Sequence, residues 1–159
     1  MKRIISIMMA MLMFLSTMAF AAEIPQISAG MFLTAKQALT CLAAAEYEKL
    51  VTLVPFSDVA PSAAEWQSFA EGNFTTLVEG VQIDYAVAYW SAGMWKLAVP
   101  VHEPSDDTVE TFVLSSADGI TFSGYRYSTW AEVKGEYLFA PYVTWDVEYI
   151  GGAPVVAAD

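Results

Sequence analysis

"VQIDYAVAYWSAGMWKLAVPV", residues Val81–Val101, decides the fold. Val81, Ile83, Tyr85, Val87 and Tyr89 alternate with Gln82, Asp84, Ala86, Ala88 and Trp90. A period of two is that of a β-strand, whose side chains point alternately to opposite faces. Beyond Ser91-Ala92-Gly93, residues Trp95, Leu97, Val99 and Val101 alternate with Lys96, Ala98, Pro100 and His102, which predicts a second strand. A three-residue turn at Ser91–Gly93 sets Tyr89 opposite Trp95, Val87 opposite Leu97, Tyr85 opposite Val99 and Ile83 opposite Val101. Every bulky pair then falls on one face. A two-residue turn would set bulky side chains against small or polar ones. The stretch therefore predicts an antiparallel hairpin with one bulky face. Burying a single such ring is worth roughly 2–3 kcal/mol, so that face requires a cover. Pro100 has no amide hydrogen and marks an edge or a bulge.

The cover is expected upstream. "TAKQALTCLAAAEYEKLVTLV" carries Thr34 and Gln37 in capping-box spacing, which starts a helix at about Ala35. Leu39 and Leu42 share a face with Phe32, and the pattern resumes at Leu50, Leu53 and Val54 after the polar "EYEK". Two helical pieces, or one bent helix, end before Pro55. "PSAAEWQSFAEG" marks a further helix, with Ser62 and Glu65 as a capping box, Trp66 and Phe69 on one face, and Gly72 as the stop.

Downstream, "VETFVLSS" and "ITFSGYRYS" read as strands joined at Asp118-Gly119, a favoured two-residue turn. That turn sets Phe112 opposite Tyr125 and Glu110 opposite Tyr127. "YVTWDVEYI" alternates again and gives a fifth strand. Helices followed by antiparallel strands define an α+β chain. The expected fold is a set of N-terminal helices packed on one face of a curved, cone-like antiparallel sheet of four to six strands.

In element order and residue character, "AEYEKLVTLV", "SAAEWQSFA" and the strand pair from Val81 resemble the nuclear-transport-factor-two-like and cystatin-like superfamily. The likeness covers about two-thirds of the chain beyond residue 21. It implies a conical sheet, in a superfamily that includes isomerases, dehydratases and many domains without chemistry. Fold alone does not choose among these.

The first residues read as an export leader of the bacterial type. Lys2 and Arg3 precede an apolar run from Ile4 to about Phe20, closed by Ala19-Phe20-Ala21. The expected organisation is a signal peptide at residues 1–21, one α+β domain at 22–151 and a flexible tail at 152–159. The protein is then exported, to the periplasm, the cell surface or the medium, with no membrane association after cleavage.

Charge narrows the partners. The chain has 7 basic and 18 acidic residues and a net charge of −11. Losing Lys2 and Arg3 leaves five basic side chains against the same 18 acids, a net charge of −13. Such a surface repels phosphates and excludes nucleic acid as a partner class. Cys41, the single cysteine, cannot form an internal disulfide and sits in an alanine-rich helical pattern as a small apolar residue.

Candidate sites are few. Tyr85, Tyr89 and Trp95 on the bulky face, with Trp66 from the covering helix, are the candidate binding residues. They read as core beneath that helix or as the lining of a cone pocket. Catalysis in such a cone needs an enclosed carboxylate or imidazole with a shifted pKa. Asp84 and His102 fall on the opposite face from Tyr85, so the chain leans away from an enzyme. An isomerase or lyase using either residue is the alternative. Tyr125, Tyr127 and Trp130 in "GYRYSTW" suggest a carbohydrate-binding platform. "HEPSDDTVE" gathers Glu103, Asp106, Asp107 and Glu110 without the spacing of a calcium loop. One histidine and one cysteine cannot close a zinc site. No phosphate loop, nucleophile elbow or dinucleotide fingerprint is present, and no cofactor is implied. The expected function is that of an exported, non-catalytic domain binding a small molecule or a protein. A second copy could dock on an open edge strand, or on a small-residue face with Ala86, Ala88 and Ala98.

Overall fold

The computed structural model describes residues 24–79, 83 and 85–146. The expected leader, Asp84, residues 147–150 of the expected fifth strand and the expected tail lie outside the described residues.

Helix α1 spans Ala29–Ala43. It begins six residues earlier than the Thr34–Gln37 spacing predicts. Ser28 takes the extended N-cap position, and Met31 and Phe32 are buried in the first turn, so core burial sets the start. Buried residues recur at Ala35, Ala38, Leu39 and Leu42, the stripe of an amphipathic helix. The helix closes on a left-handed residue. Ala45 has φ 55°; its amide donates to Leu42 O at 3.2 Å, and Glu46 N donates to Cys41 O at 2.9 Å. This is a Schellman closure with alanine where glycine is usual. Helix α2 spans Tyr47–Leu53 and buries Leu50, so the expected pair of helical pieces ends before Pro55. Helix α3 spans Ala63–Asn73 behind the predicted capping box. Ser62 N donates to the Glu65 carboxylate at 2.7 Å, and Glu65 N donates to Ser62 Oγ at 3.3 Å. Gly72 lies inside the last turn of α3 and does not stop it.

Five antiparallel strands follow: β1 at Tyr85–Ser91, β2 at Met94–Pro100, β3 at Glu110–Ser116, β4 at Gly124–Thr129 and β5 at Tyr142–Asp146. Their order across the sheet is β4-β3-β2-β1-β5. Helix α4, Trp130–Tyr137, leaves β4 directly. Its start is written in the sequence as a capping box of Thr129 and Glu132, which the expected element order had passed over. The protein is an α+β fold with N-terminal helices on a curved antiparallel sheet.

The hairpin register differs from the one expected. Only Ala92 and Gly93 lie in the turn, with φ 53° and 75°, the left-handed pair of a two-residue type I′ connection. Ala88 therefore pairs with Leu97, Val87 with Ala98, Tyr89 with Lys96, and Trp90 with Trp95. Bulky side chains do oppose small and polar ones. The physical reason is that both faces of the sheet are covered. Ala88, Trp95, Leu97, Val99, Phe112, Leu114, Tyr125 and Tyr127 share one face through the strand registers. Trp66 and Phe69 of α3 pack on Phe112 and Tyr125 there. Tyr85, Val87, Tyr89, Lys96, Ala98, Val113, Ser115 and Arg126 share the other face, which α4 covers through Trp130 against Tyr85 and Tyr137 against Tyr89. A large residue opposite a small one then fills space on both faces at once.

The β3–β4 connection is also longer than the two residues expected at Asp118-Gly119. Leu114 pairs with Tyr125, Phe112 with Tyr127 and Glu110 with Thr129. Phe122 inside this loop is fully buried and bridges to Phe56. The loop closes under the N-terminal lead-in. A Cβ built on Gly119 would stand 2.4 Å from Gln26 O, and its φ is +74°, so only glycine fits. The indole nitrogen of Trp95 donates to Pro25 O at 2.6 Å, pinning the same lead-in to β2.

Candidate binding surface

The four candidate binding residues do not form one site. Trp66 is fully buried among Phe56, Phe69, Phe112 and Tyr125. Trp95 lies on that same face of the sheet, packed against Trp90 at 5.6 Å. Tyr85 and Tyr89 project from the opposite face. Trp66 and Trp95 act as core, and the one-residue difference in register separates them from the tyrosines.

The other candidates are dispersed as well. His102 is exposed, with Nδ1 2.9 Å from Glu103 O. Asp84 lies outside the described residues. Tyr125 packs on Trp66 and Phe69, and Tyr127 on Phe74. Trp130 is buried under the other face. The three rings form no shared platform. The acidic loop is spent on structural ties: Asp106 accepts from Thr108 N and Oγ1, and Asp107 accepts from Lys134 Nζ. Among the described residues no group of three or more His, Cys, Asp or Glu is placed to hold a metal ion. Ala86, Ala88 and Ala98 are fully buried, and Ala98 faces away from Ala88. That set of alanines therefore offers no dimer contact. Cys41 is buried, and its thiol lies 3.6 Å from the Glu46 carboxylate. Burial, the largest cause, raises its pKa, so it stays a thiol.

What the sheet does assemble is a polar row on the α4 face. Tyr142, Tyr89, Lys96, Ser115 and Gly124 lie side by side across all five strands. Arg126, two residues along β4 from Gly124, reaches over the sheet. Its Nη2 donates to Glu136 Oε1 on α4 at 2.6 Å and to Tyr89 Oη at 3.3 Å. Tyr89 Oη donates to Glu136 Oε2 at 2.9 Å. Burial first, then the Glu136 carboxylate, push the Tyr89 phenol well above its ordinary pKa, so it remains a donor. Lys96 Nζ donates to Ser115 Oγ at 2.9 Å. Burial, then the Arg126 guanidinium, lower the Lys96 pKa.

The charge pattern of this row stands out in an acidic chain. Lys49, Arg126 and Lys134 each hold a carboxylate, at 2.8, 2.6 and 2.5 Å. Lys96 has no carboxylate partner among the described residues and meets a hydroxyl instead. Lys96, Arg126 and Glu136 together carry one surplus positive charge. Gly124 ends the row at the sheet edge, and a Cβ built there meets nothing within 4 Å, so that end of the row is open. Sequence reading missed this group because its members lie on separate elements, one on each of the five strands and Glu136 on α4. The one signal for it was that Lys96 and Arg126 both fall inside strands.

The chain matches no family model, no curated protein and no solved structure. No helix among the described residues is long and apolar enough to cross a membrane.

Proposed function

We propose that this protein is an exported, non-catalytic binding domain, and that its ligand contacts the polar row of Tyr89, Lys96, Ser115 and Arg126. One observation carries the reading. The four aromatic candidates pack against other rings, and Lys49, Arg126 and Lys134 hold carboxylates, whereas Lys96 is half-buried and, among the described residues, meets only a hydroxyl. An apolar face would not keep such a group unless something made use of its charge. The likeness to the nuclear-transport-factor-two-like and cystatin-like superfamily supports the same reading, since many of its members are domains without chemistry.

The test is a ligand screen followed by amide chemical shifts of the protein. Saturable shifts confined to β2, β3, β4 and α4, with the ligand recovered unchanged, are expected. Conversion of a bound compound, abolished by Asp84→Asn or His102→Gln, would replace this reading with the cone-pocket enzyme.

A further inference from the structure

The chemistry of the row specifies what it would bind. Lys96 Nζ and the Arg126 guanidinium are both cations on one sheet face, and Glu136 balances only one of them. Among the described residues both side-chain bonds from Arg126 use Nη2, which leaves the Nη1 and Nε hydrogens as donors there. Ser115 Oγ accepts from Lys96 and keeps its own hydroxyl hydrogen to donate. Lys96 and Ser115 are bonded to each other, and Arg126 reaches over the sheet to Tyr89, the direct strand partner of Lys96; donors on two cations and a hydroxyl gathered on one sheet face make an anion site.

The valence follows from charge. A monoanion neutralises the surplus of one. A dianion such as phosphate would leave excess negative charge inside a chain of net charge −11 and would be repelled by it. Resting on the binding-domain reading above, we infer that this row is a monocarboxylate site, in which Lys96, Ser115 and Arg126 hold a single carboxylate group of a small ligand.

Sodium acetate is the minimal probe, titrated into the labelled full domain against sodium chloride at matched ionic strength. The expected result is saturable movement of the Lys96, Ser115 and Arg126 amides with acetate alone. Lys96→Gln should weaken that binding at least tenfold while the rest of the amide spectrum stays in place. Arg126→Lys, which removes the planar fork, should weaken it severalfold. Should Lys96→Gln fail to fold, Arg126→Lys together with Ser115→Ala carries the test. Equal shifts with chloride, unchanged acetate binding in the variants, or tighter binding of phosphate than of acetate would each overturn the assignment. A saturable ligand whose binding ignores all three substitutions would overturn it too, while leaving the binding-domain reading intact.

Discussion

Glu110 is the most heavily used side chain in the described fold. It is 7% exposed, and its two carboxylate oxygens accept five hydrogen bonds. Thr75 N and Oγ1 donate at 2.8 and 2.5 Å, with a further contact from Thr75 N at 3.1 Å, and Thr76 N and Oγ1 donate at 3.0 and 2.7 Å. The segment after α3 has no secondary structure of its own, and β3 holds it through this one residue. Burial alone would raise the carboxyl pKa. The threonine donors outweigh burial and hold it below the ordinary value of 4.5. A depressed folded pKa gives stability that is present above the unfolded value and lost as pH falls through the folded one. Glu110→Gln should therefore cost roughly 2–3 kcal/mol at pH 7, as expected for losing charge-assisted bonds and stranding buried donors. The variant should also lose stability less steeply than the parent below pH ~4.5, both read by urea denaturation across pH. Equal slopes would mean that some other carboxylate governs the acid limb. Gly119 is the complementary case, a site where any added atom does harm. Gly119→Ala places a Cβ against Gln26 O and imposes a positive φ. The expected loss is about 2 kcal/mol or more, measured as a drop in melting temperature. Ile27 and Trp95 should become more accessible with it, since the lead-in must lift.

The elements are joined at two places by alanines in the left-handed region, Ala45 after α1 and Ala92 in the β1–β2 turn. Each bears strain that glycine lacks. Ala45→Gly and Ala92→Gly should each raise stability by roughly 0.5–1 kcal/mol, and the gains should add because the sites are independent. Chemical denaturation of the single and double variants checks this. The same turn shows how far the hairpin was legible. The pattern of side chains identified both strands and their antiparallel pairing correctly. It failed on turn length because β1 and β2 are buried on both faces, with Val87, Ala88, Leu97 and Ala98 all at 0% exposure. When burial does not alternate, a slip of one residue moves no apolar side chain into water, and hydrophobicity stops specifying register. Turn chemistry then decides, and Ala92-Gly93 closes in two residues. The slip also hid the site. Under the expected register Lys96 and Tyr89 stand on opposite faces. Under the observed one they are direct partners, and Lys96 joins the row with Ser115 and Arg126. The α3 boundary was legible because a capping box is a local contact. The start of α1 was not, because it depends on what Met31 and Phe32 touch in the fold.

At the scale of the whole molecule, one continuous core is confronted by a large imbalance of charge. Apolar residues from α1, α3, α4 and four strands pack together on the two faces of a single sheet, so the domain has the means to fold without a disulfide. Against this, 18 acidic residues face 7 basic ones, and three of the basic residues are already committed to ion pairs. Acids on so small a body repel one another whenever the chain is compact and less when it unfolds. The three ion pairs are partly exposed, so solvent screens them and they contribute little. Their loss in salt is therefore smaller than the relief of repulsion. The Debye length falls from about 30 Å at 0.01 M to about 8 Å at 0.15 M salt, from the span of the whole domain to that of a few side chains. Sodium chloride added across that range should therefore raise the melting temperature by a few degrees, and it should do so at pH 7 far more than at pH 4, where protonation removes much of the repulsion. A fall in melting temperature with salt would mean that the local pairs, with Arg126–Glu136 foremost, outweigh the net charge. A lysine placed at an exposed acid such as Glu71 should mimic the salt effect at low ionic strength, and the benefit should vanish at 0.15 M, where screening has already taken the repulsion away.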